Sequence, residues 1–239
     1  MARAAVRRRL SWQVGTVTAV RDETATCRTL VVDVPDWPGH LAGQHVDIRL
    51  TAPDGYRASR SYSIASASPV VELTVERLDD GEVSPYLTQV LSEGDPLEIR
   101  GPVGGWFVWR PGQPGPVQLI GGGSGVVPLM AMIRSGAPAR LLYSVRRPEA
   151  VIYSAELDKL AARGDVDLTY AYTRSAPAGV SRVGRIDAAL IAEVTWPPSA
   201  SLTTYVCGPT PFVEAAADLL VDAGHDPATI RTERFGGIG

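Results

Sequence analysis

Cysteine is scarce in this chain of 239 residues, with only Cys27 and Cys207 present. Two thiols cannot supply the four thiolates of a structural zinc or iron–sulfur site, and they do not indicate a disulfide framework. The three histidines (His40, His45 and His225) show no metal-ligand spacing. The sequence therefore predicts a protein without a metal site.

Long hydrophobic runs are also missing, because no window approaches the about 20 apolar residues of a membrane span. Residues 1–10 carry four arginines but lack the apolar segment of about 7–15 residues that a secretory signal needs. We therefore predict a basic, disordered tail over residues 1–10 and a cytoplasmic location. The formal net charge of −3 favours neither a nucleic-acid partner nor a membrane partner.

Residues 11–110 are predicted to form short strands separated by turns. Turn signals such as Pro53-Asp54-Gly55 and Asp79-Asp80-Gly81 interrupt segments that alternate in polarity or are rich in β-branched residues. The predicted strands are 12–20, 28–34, 44–50, 61–65, 70–77 and 96–100. Six strands without long intervening helices predict an antiparallel β-barrel.

After a Pro/Gly linker at residues 111–115, the pattern changes to alternating strands and helices over residues 116–239. The predicted strands are 117–120, 140–145, 166–172, 202–207 and 229–235. The predicted helices are 124–134, 154–163, 186–194 and 211–223. This alternation predicts a doubly wound α/β domain with a parallel sheet.

A glycine-rich turn follows the first strand of this second domain, in the segment Gly121-Gly122-Gly123-Ser124-Gly125. A strand that enters a helix through such a turn presents free backbone N–H groups to a pyrophosphate. The usual G-x-G-x-x-G fingerprint would place glycine at position 126, where Val126 stands instead. A tight strand–helix turn that needs small residues is the alternative interpretation.

A second segment, Cys207-Gly208-Pro209, ends another strand of the same domain. Ligands bind at the carboxyl ends of the strands in open parallel sheets, so Cys207 is a candidate cofactor contact. The alternative is a small buried side chain at the end of a strand. No base is identifiable beside Cys207, so it is not interpreted as a nucleophile.

In the barrel half, Arg60-Ser61-Tyr62-Ser63 lies on a predicted strand and offers an aromatic face, a phosphate clamp and hydroxyl groups. In isolation this segment is an ordinary amphipathic strand. Gly81-Glu82-Val83-Ser84 follows the next strand at the start of a predicted helix, where N–H donors and a hydroxyl can meet a phosphate.

The ordered set of R-x-Y-S, G-x-x-S, G-G-G-S-G-x-x-P and C-G-P resembles the ferredoxin–NADP reductase superfamily over residues 11–239. The resemblance implies bound FAD, with Tyr62 stacked on the isoalloxazine ring, Arg60 on the phosphates and Ser63 near flavin N5. It implies that Cys207 borders the nicotinamide and that Phe235 lies near the other face of the flavin. The catalytic candidates are therefore Tyr62, Ser63, Cys207 and Phe235. The remaining implied cofactor-binding residues are Ser61, Val75, Gly81, Val83, Ser84, Gly121, Gly122, Gly123, Ser124, Gly125, Gly208 and Pro209.

Coenzyme choice is predicted from polar side chains after the second and third strands of the nucleotide domain. The candidates are Ser144, Arg146, Arg147, Thr173, Arg174 and Arg182, which suit a 2′-phosphate. Arginine makes up 22 of the 23 lysine and arginine residues, so each single arginine is weaker evidence for a phosphate site. NADPH is slightly favoured over NADH as the hydride donor.

The resemblance implies a monomeric reductase without an iron–sulfur domain, passing electrons from NAD(P)H through FAD to a separate acceptor such as a ferredoxin or an oxygenase component. Two alternatives stay open at this point. One is a flavin reductase that treats flavin as a diffusible substrate, and the other is a non-catalytic flavin- or nucleotide-binding subunit of a larger redox complex.

Overall fold

The structure is a computed structural model that describes residues 10–236. The predicted basic tail therefore lies outside the described residues, apart from Leu10. Two sheets organise the described chain, an antiparallel sheet of six strands followed by a parallel sheet of five. This architecture confirms the predicted fold class.

The first sheet is an antiparallel barrel with the strand order β4-β3-β6-β1-β2-β5. Its strands are β1 (Gln13–Asp22), β2 (Cys27–Asp33), β3 (His45–Thr51), β4 (Arg57–Ser63), β5 (Val71–Glu76) and β6 (Pro96–Val103). An isolated bridge between Ile64 and Leu73 joins the two outer strands and closes the barrel. Alternating apolar residues such as Leu30, Ile48, Leu73 and Ile99 fill its interior.

The β4 strand differs from the prediction of a strand over residues 61–65. The observed strand begins at Arg57, and its ladder with β3 runs from the pair Thr51–Arg57 to the pair His45–Ser63. Most of β4 is polar and exposed, so apolar alternation does not reveal it, and backbone pairing with β3 fixes its position. Beyond this ladder, the Ile64 N–H donates to the Gln44 carbonyl, Ile64 forms the bridge to Leu73, and the Ala65 N–H donates to the Glu72 carbonyl of β5.

The second sheet is parallel, with the strand order β11-β10-β7-β8-β9. Its strands are β7 (Val117–Gly122), β8 (Ala139–Val145), β9 (Val166–Tyr172), β10 (Thr203–Pro209) and β11 (Ile230–Phe235). The helices are α1 (Val126–Arg134), α2 (Ser154–Arg163), α3 (Ala188–Val194) and α4 (Thr210–Asp222). Two apolar clusters cover the two faces of the sheet, as expected for a doubly wound domain.

The two domains meet along the strand β5, whose alternate residues Glu72, Thr74 and Glu76 all contact the nucleotide domain. The Glu72 carboxylate pairs with Arg134 of α1 at 2.9 Å. Thr74 accepts a hydrogen bond from the Tyr153 hydroxyl, and Glu76 accepts one from the Ser124 hydroxyl at 2.7 Å. One face of this strand therefore forms much of the polar contact between the domains.

Within residues 10–236, no helix has the length and apolar character needed to cross a bilayer. The same part of the chain holds no group of three or more His, Cys, Asp or Glu side chains placed to bind a metal ion.

Candidate functional site

The strand order of the parallel sheet creates a topological switch point between β7 and β10. From β7 the chain proceeds outward through β8 and β9, and it then returns to the other side of β7 to form β10 and β11. Such a reversal leaves a crevice outside the carboxyl ends of the two central strands. The turn Gly121–Gly125 and the segment Cys207–Pro209 meet at this crevice.

Glycine is required where these two segments meet. A Cβ atom on Gly125 would lie 2.1 Å from the Cys207 carbonyl oxygen, so a larger residue would push the segments apart. Gly123 adopts φ +55, in the left-handed region that glycine enters without steric cost. Val126, which departs from the dinucleotide fingerprint, is fully buried at the start of α1 and packs in the core.

Cys207 lies in register with Glu233 of β11. Burial raises the pKa of the Cys207 thiol well above its usual value, and the nearby Glu233 carboxylate raises it further. Burial also raises the pKa of Glu233 to about 7. The Glu233 Oε2 atom is buried and has no hydrogen-bond partner within residues 10–236. Phe235 is half-buried and lies in register with Pro209 at the end of the same ladder.

On the barrel side, the structure brings the two predicted flavin motifs together. The Arg60 guanidinium forms an ion pair with Glu82 at 2.9 Å, and the Tyr56 hydroxyl donates to the same carboxylate at 2.7 Å. Tyr62, two residues after Arg60 on the same face of β4, is half-buried. Burial raises the pKa of its hydroxyl to about 12, although the Arg60 charge acts in the opposite direction.

The turn that carries Gly81 and Ser84 is tightly folded. The Gly81 N–H donates to the Leu78 carbonyl at 2.9 Å, and the Ser84 hydroxyl accepts the Leu78 N–H at 3.0 Å. A Cβ atom on Gly81 would lie 3.0 Å from both the Leu78 carbonyl oxygen and Ser84 Oγ. The side chains of Val83 and Val75 are buried in the barrel core.

The hydroxyls of Ser61 and Ser63 have different surroundings. The Ser61 hydroxyl donates to Asp47 at 2.7 Å, and Asp47 also pairs with Arg100, on the face of β4 opposite to Tyr62. Ser63 is half-buried at the end of β4 and lies directly across from His45. Ser61 and Ser63 lie on the same face of β4, because side chains two residues apart in a strand point the same way.

The predicted coenzyme residues lie at or after the carboxyl ends of β8 and β9, except Arg182, which forms an ion pair with Asp187 just before α3. Ser144 is buried near the end of β8, whereas Arg146 and Arg174 are exposed in the loops that follow. The Thr173 N–H donates to the Val145 carbonyl at 2.8 Å, and the Arg174 N–H donates to the Arg146 carbonyl at 2.9 Å. These backbone bonds hold the two loops side by side.

Three carboxylates near these motifs were missed by the sequence analysis. Glu82 binds Arg60, Glu76 binds Ser124, and Glu233 lies half-buried in register with Cys207. Glu82 lies inside the G-x-x-S motif, and Glu233 directly precedes Arg234-Phe235. Their positions in or beside these motifs could have indicated both residues. Glu76 offered none, because a polar residue on an alternating strand is typical of a solvated face.

The residues present fit a flavin and a nicotinamide dinucleotide. Glycine at position 125 lets the glycine-rich turn approach the Cys207 carbonyl closely, and the turn before α1 offers N–H groups of the kind that bind phosphate. Arg60 supplies a planar cation near the G-x-x-S turn, which suits a diphosphate. The Glu233 oxygen without a partner lies at the crevice, where a ligand can supply a donor.

Comparison with known proteins agrees with this geometry. An oxidoreductase FAD-binding domain model matches residues 14–108, and an oxidoreductase NAD-binding domain model matches residues 119–218. The chain is 38% identical over 183 residues to ferredoxin–NADP reductase B of Sorangium cellulosum, a match that covers 71% of this chain and 73% of the relative.

Two further similarities extend over more of the chain. It is 30% identical over 237 residues to the ferredoxin reductase component of 3-ketosteroid-9-alpha-monooxygenase from Rhodococcus rhodochrous, covering 93% of this chain and 65% of that protein. The flavohem-like FAD/NAD-binding domain of nitric oxide dioxygenase from Vibrio cholerae O1 biovar El Tor has a TM-score of 0.83 and 25% identity, covering 94% of this chain and 99% of that one.

The fold and the site thus define a two-domain oxidoreductase architecture with an FAD-binding barrel and an NAD-binding α/β domain. The chain belongs to the ferredoxin–NADP reductase family. The predicted family and its FAD and NAD(P) cofactors are confirmed. The chain spans between 55% and 65% of the length of the first curated relatives that it matches.

Proposed function

We propose that the protein is an NAD(P)H-dependent reductase that moves hydride to bound FAD and passes electrons to a separate acceptor protein. One observation carries this proposal. The dinucleotide turn and the flavin-binding barrel face each other across one cleft, where the Ser124 hydroxyl donates to Glu76 at 2.7 Å. Two cofactors bound on either side of this cleft would therefore have their reacting ends close together.

The proposed roles divide between the two domains. Tyr62 provides the stacking surface for the flavin ring, Arg60 binds its phosphates, and Ser63 donates a hydrogen bond near flavin N5. Cys207 and Phe235 border the nicotinamide on the other side of the cleft. Bound FAD supplies the redox chemistry by accepting two electrons as hydride and releasing them singly. The protein needs little acid–base machinery beyond this positioning.

NADPH is the favoured donor in this proposal. The exposed guanidinium groups of Arg146 and Arg174 lie in loops that backbone hydrogen bonds hold together, beside the buried Ser144. Such a cluster at the ends of the second and third strands suits the 2′-phosphate of NADP. The Thr173 side chain is proposed to contact the same 2′-phosphate.

The acceptor is proposed to be a ferredoxin or an oxygenase component, since the Rhodococcus rhodochrous relative is named as the ferredoxin reductase component of a monooxygenase. In this proposal the flavin stays bound to the protein while it passes electrons from NAD(P)H to the partner. A cytoplasmic location and a monomeric state stay predictions.

Anaerobic titration of the purified, FAD-loaded protein with NADPH, and separately with NADH, tests the proposed function. We expect the visible flavin absorbance to bleach with about one equivalent of NADPH, and with NADH only at higher concentration. A flavin that stays oxidised with both coenzymes would contradict the reductase activity and favour a non-catalytic subunit. Loss of the flavin on gel filtration would favour a flavin reductase.

A further inference from the structure

Glu76 is an acidic residue of the barrel that reaches the dinucleotide turn of the other domain. It is the last residue of β5, its side chain is exposed, and its Oε2 atom accepts the Ser124 hydroxyl at 2.7 Å. Ser124 lies in the short helical turn Gly123–Gly125 that leads into α1. The barrel therefore places a carboxylate beside the element that is proposed to bind the dinucleotide.

Within residues 10–236, Glu76 takes part in no ion pair. The arginines of the described chain form eleven ion pairs with acidic residues, and none of these pairs includes Glu76. Its neighbours Glu72 and Thr74 on the same face of β5 are instead engaged by Arg134 and Tyr153. Glu76 thus places at the cleft a carboxylate that no arginine of residues 10–236 pairs with.

A negative charge at this point has two opposite effects. The Ser124 hydroxyl stabilises the Glu76 carboxylate by donating a hydrogen bond to it when no dinucleotide is bound. A pyrophosphate that approaches the same turn meets a like charge, and it also competes for the Ser124 hydroxyl. Binding of a dinucleotide at this turn therefore requires the hydrogen bond between the Ser124 hydroxyl and the Glu76 carboxylate to break.

We propose that Glu76 weakens dinucleotide binding by occupying the Ser124 turn, and that it thereby sets the affinity of the site for both the oxidised and the reduced coenzyme. This inference rests on the proposed function, because it assumes that the turn binds NAD(P). The carboxylate acts as an internal competitor for the site. Its consequence is faster release of the oxidised coenzyme after hydride transfer.

The test measures the dissociation constant of NADP+ on the FAD-loaded protein from the perturbation of the flavin absorption spectrum, which requires no turnover. Glu76→Gln removes the charge and keeps a similar shape, and Glu76→Ala removes the side chain. We expect both variants to bind NADP+ roughly fivefold more tightly at low ionic strength, as expected for removal of one nearby, solvent-screened charge. The gain should shrink at about 1 M salt, where the screening length is about 3 Å.

Glu93→Gln is the matched control. Glu93 is exposed in the turn before β6, it forms no ion pair in the described chain, and its substitution changes the net charge by the same amount. We expect this variant to bind NADP+ like the unmodified protein. An equal effect in both variants would show that overall charge, not the position of Glu76, sets the affinity, and would overturn the inference.

The remaining outcomes separate this inference from the proposed function. An unchanged or weaker affinity in Glu76→Gln would overturn the inference alone, and weaker binding would indicate that the carboxylate accepts a hydrogen bond from the coenzyme. Tight NADP+ binding without flavin bleaching by NADPH would contradict the reductase activity but leave the affinity comparison valid. No spectral response to NADP+ or NAD+ in any variant would overturn both.

Discussion

The Tyr153 hydroxyl of the nucleotide domain donates a hydrogen bond to Thr74 of the barrel. Thr74 in turn shares a hydrogen bond of 2.7 Å with Thr29, and the Thr29 hydroxyl donates to Glu23 at 2.8 Å. Tyr153 is buried and adopts φ +62, a conformation that is uncommon for a residue other than glycine. A backbone strained in this way persists only where surrounding contacts hold it, so this side chain anchors one domain on the other.

Replacement of Tyr153 by phenylalanine should weaken the contact between the domains. We expect the free energy of unfolding to fall by about 1 kcal/mol, the usual net value of one hydrogen bond, in urea unfolding experiments. Tyr170→Phe is a matched control, because the buried Tyr170 hydroxyl has no hydrogen-bond partner within residues 10–236. Equal stability losses in the two variants would contradict the anchoring role.

Arg134 should contribute more to stability than a surface arginine. Its guanidinium, with a side chain 16% exposed, bonds to Glu72, Glu156 and the Ala65 carbonyl oxygen. Arg134→Met leaves two carboxylates without their cation, and we expect a loss of about 2 kcal/mol in chemical denaturation. Arg163→Met removes only an exposed pair and should cost less than about 1 kcal/mol. Similar losses in the two variants would be evidence against the interdomain role of Arg134.

Alanine at Gly125 should disrupt the proposed dinucleotide site, because its Cβ would clash with the Cys207 carbonyl oxygen. We expect this variant to lose at least roughly tenfold in NADP+ affinity while its flavin content is unchanged. Gly123→Ala is the control in the same turn, since its Cβ meets no atom within 4 Å and only the φ of +55 is unfavourable. Unimpaired NADP+ binding by the Gly125 variant would place the dinucleotide elsewhere.

The raised pKa of Glu233 predicts a pH dependence of stability. Its folded-state pKa of about 7 lies above the unfolded value, so the folded state holds the extra proton and is favoured at low pH. This contribution is full below about pH 4.5 and disappears as the pH rises through about 7. The free energy of unfolding of the unmodified protein should fall by about 2 kcal/mol between pH 5 and 8 because of this group. We expect Glu233→Gln to abolish this fall in unfolding experiments. An identical pH profile in the two proteins would refute the assignment.

Alanine at Tyr62 or Arg60 should weaken flavin retention, measured as the FAD-to-protein ratio after gel filtration. Loss of the stacking surface or of the phosphate cation removes about 1–3 kcal/mol of binding energy. Arg57→Ala serves as the control, because Arg57 lies on the same strand but on the opposite face. Full flavin content in both the Tyr62 and Arg60 variants would count against the proposed flavin position.

Much of the fold was predictable, because the alternation in the barrel strands and the strand–helix succession after residue 116 follow from burial. The strand β4 was placed incorrectly, since its exposed polar residues carry no apolar pattern and only pairing with β3 defines it. Glu72, Thr74 and Glu76 have the sequence signature of a solvated face. Their contacts with Arg134, Tyr153 and Ser124 depend on how two domains pack, which a local pattern does not encode.

The contacts of β5 have a consequence for exchanging parts between members of the family. A chimera that combines this barrel with a foreign nucleotide domain would bring Glu72, Thr74 and Glu76 against residues that did not evolve with them. Such a hybrid would lose the hydrogen bonds and the ion pair that these three residues form across the domain boundary. A transfer of the nucleotide domain should therefore carry with it the residues of this strand that the domain contacts.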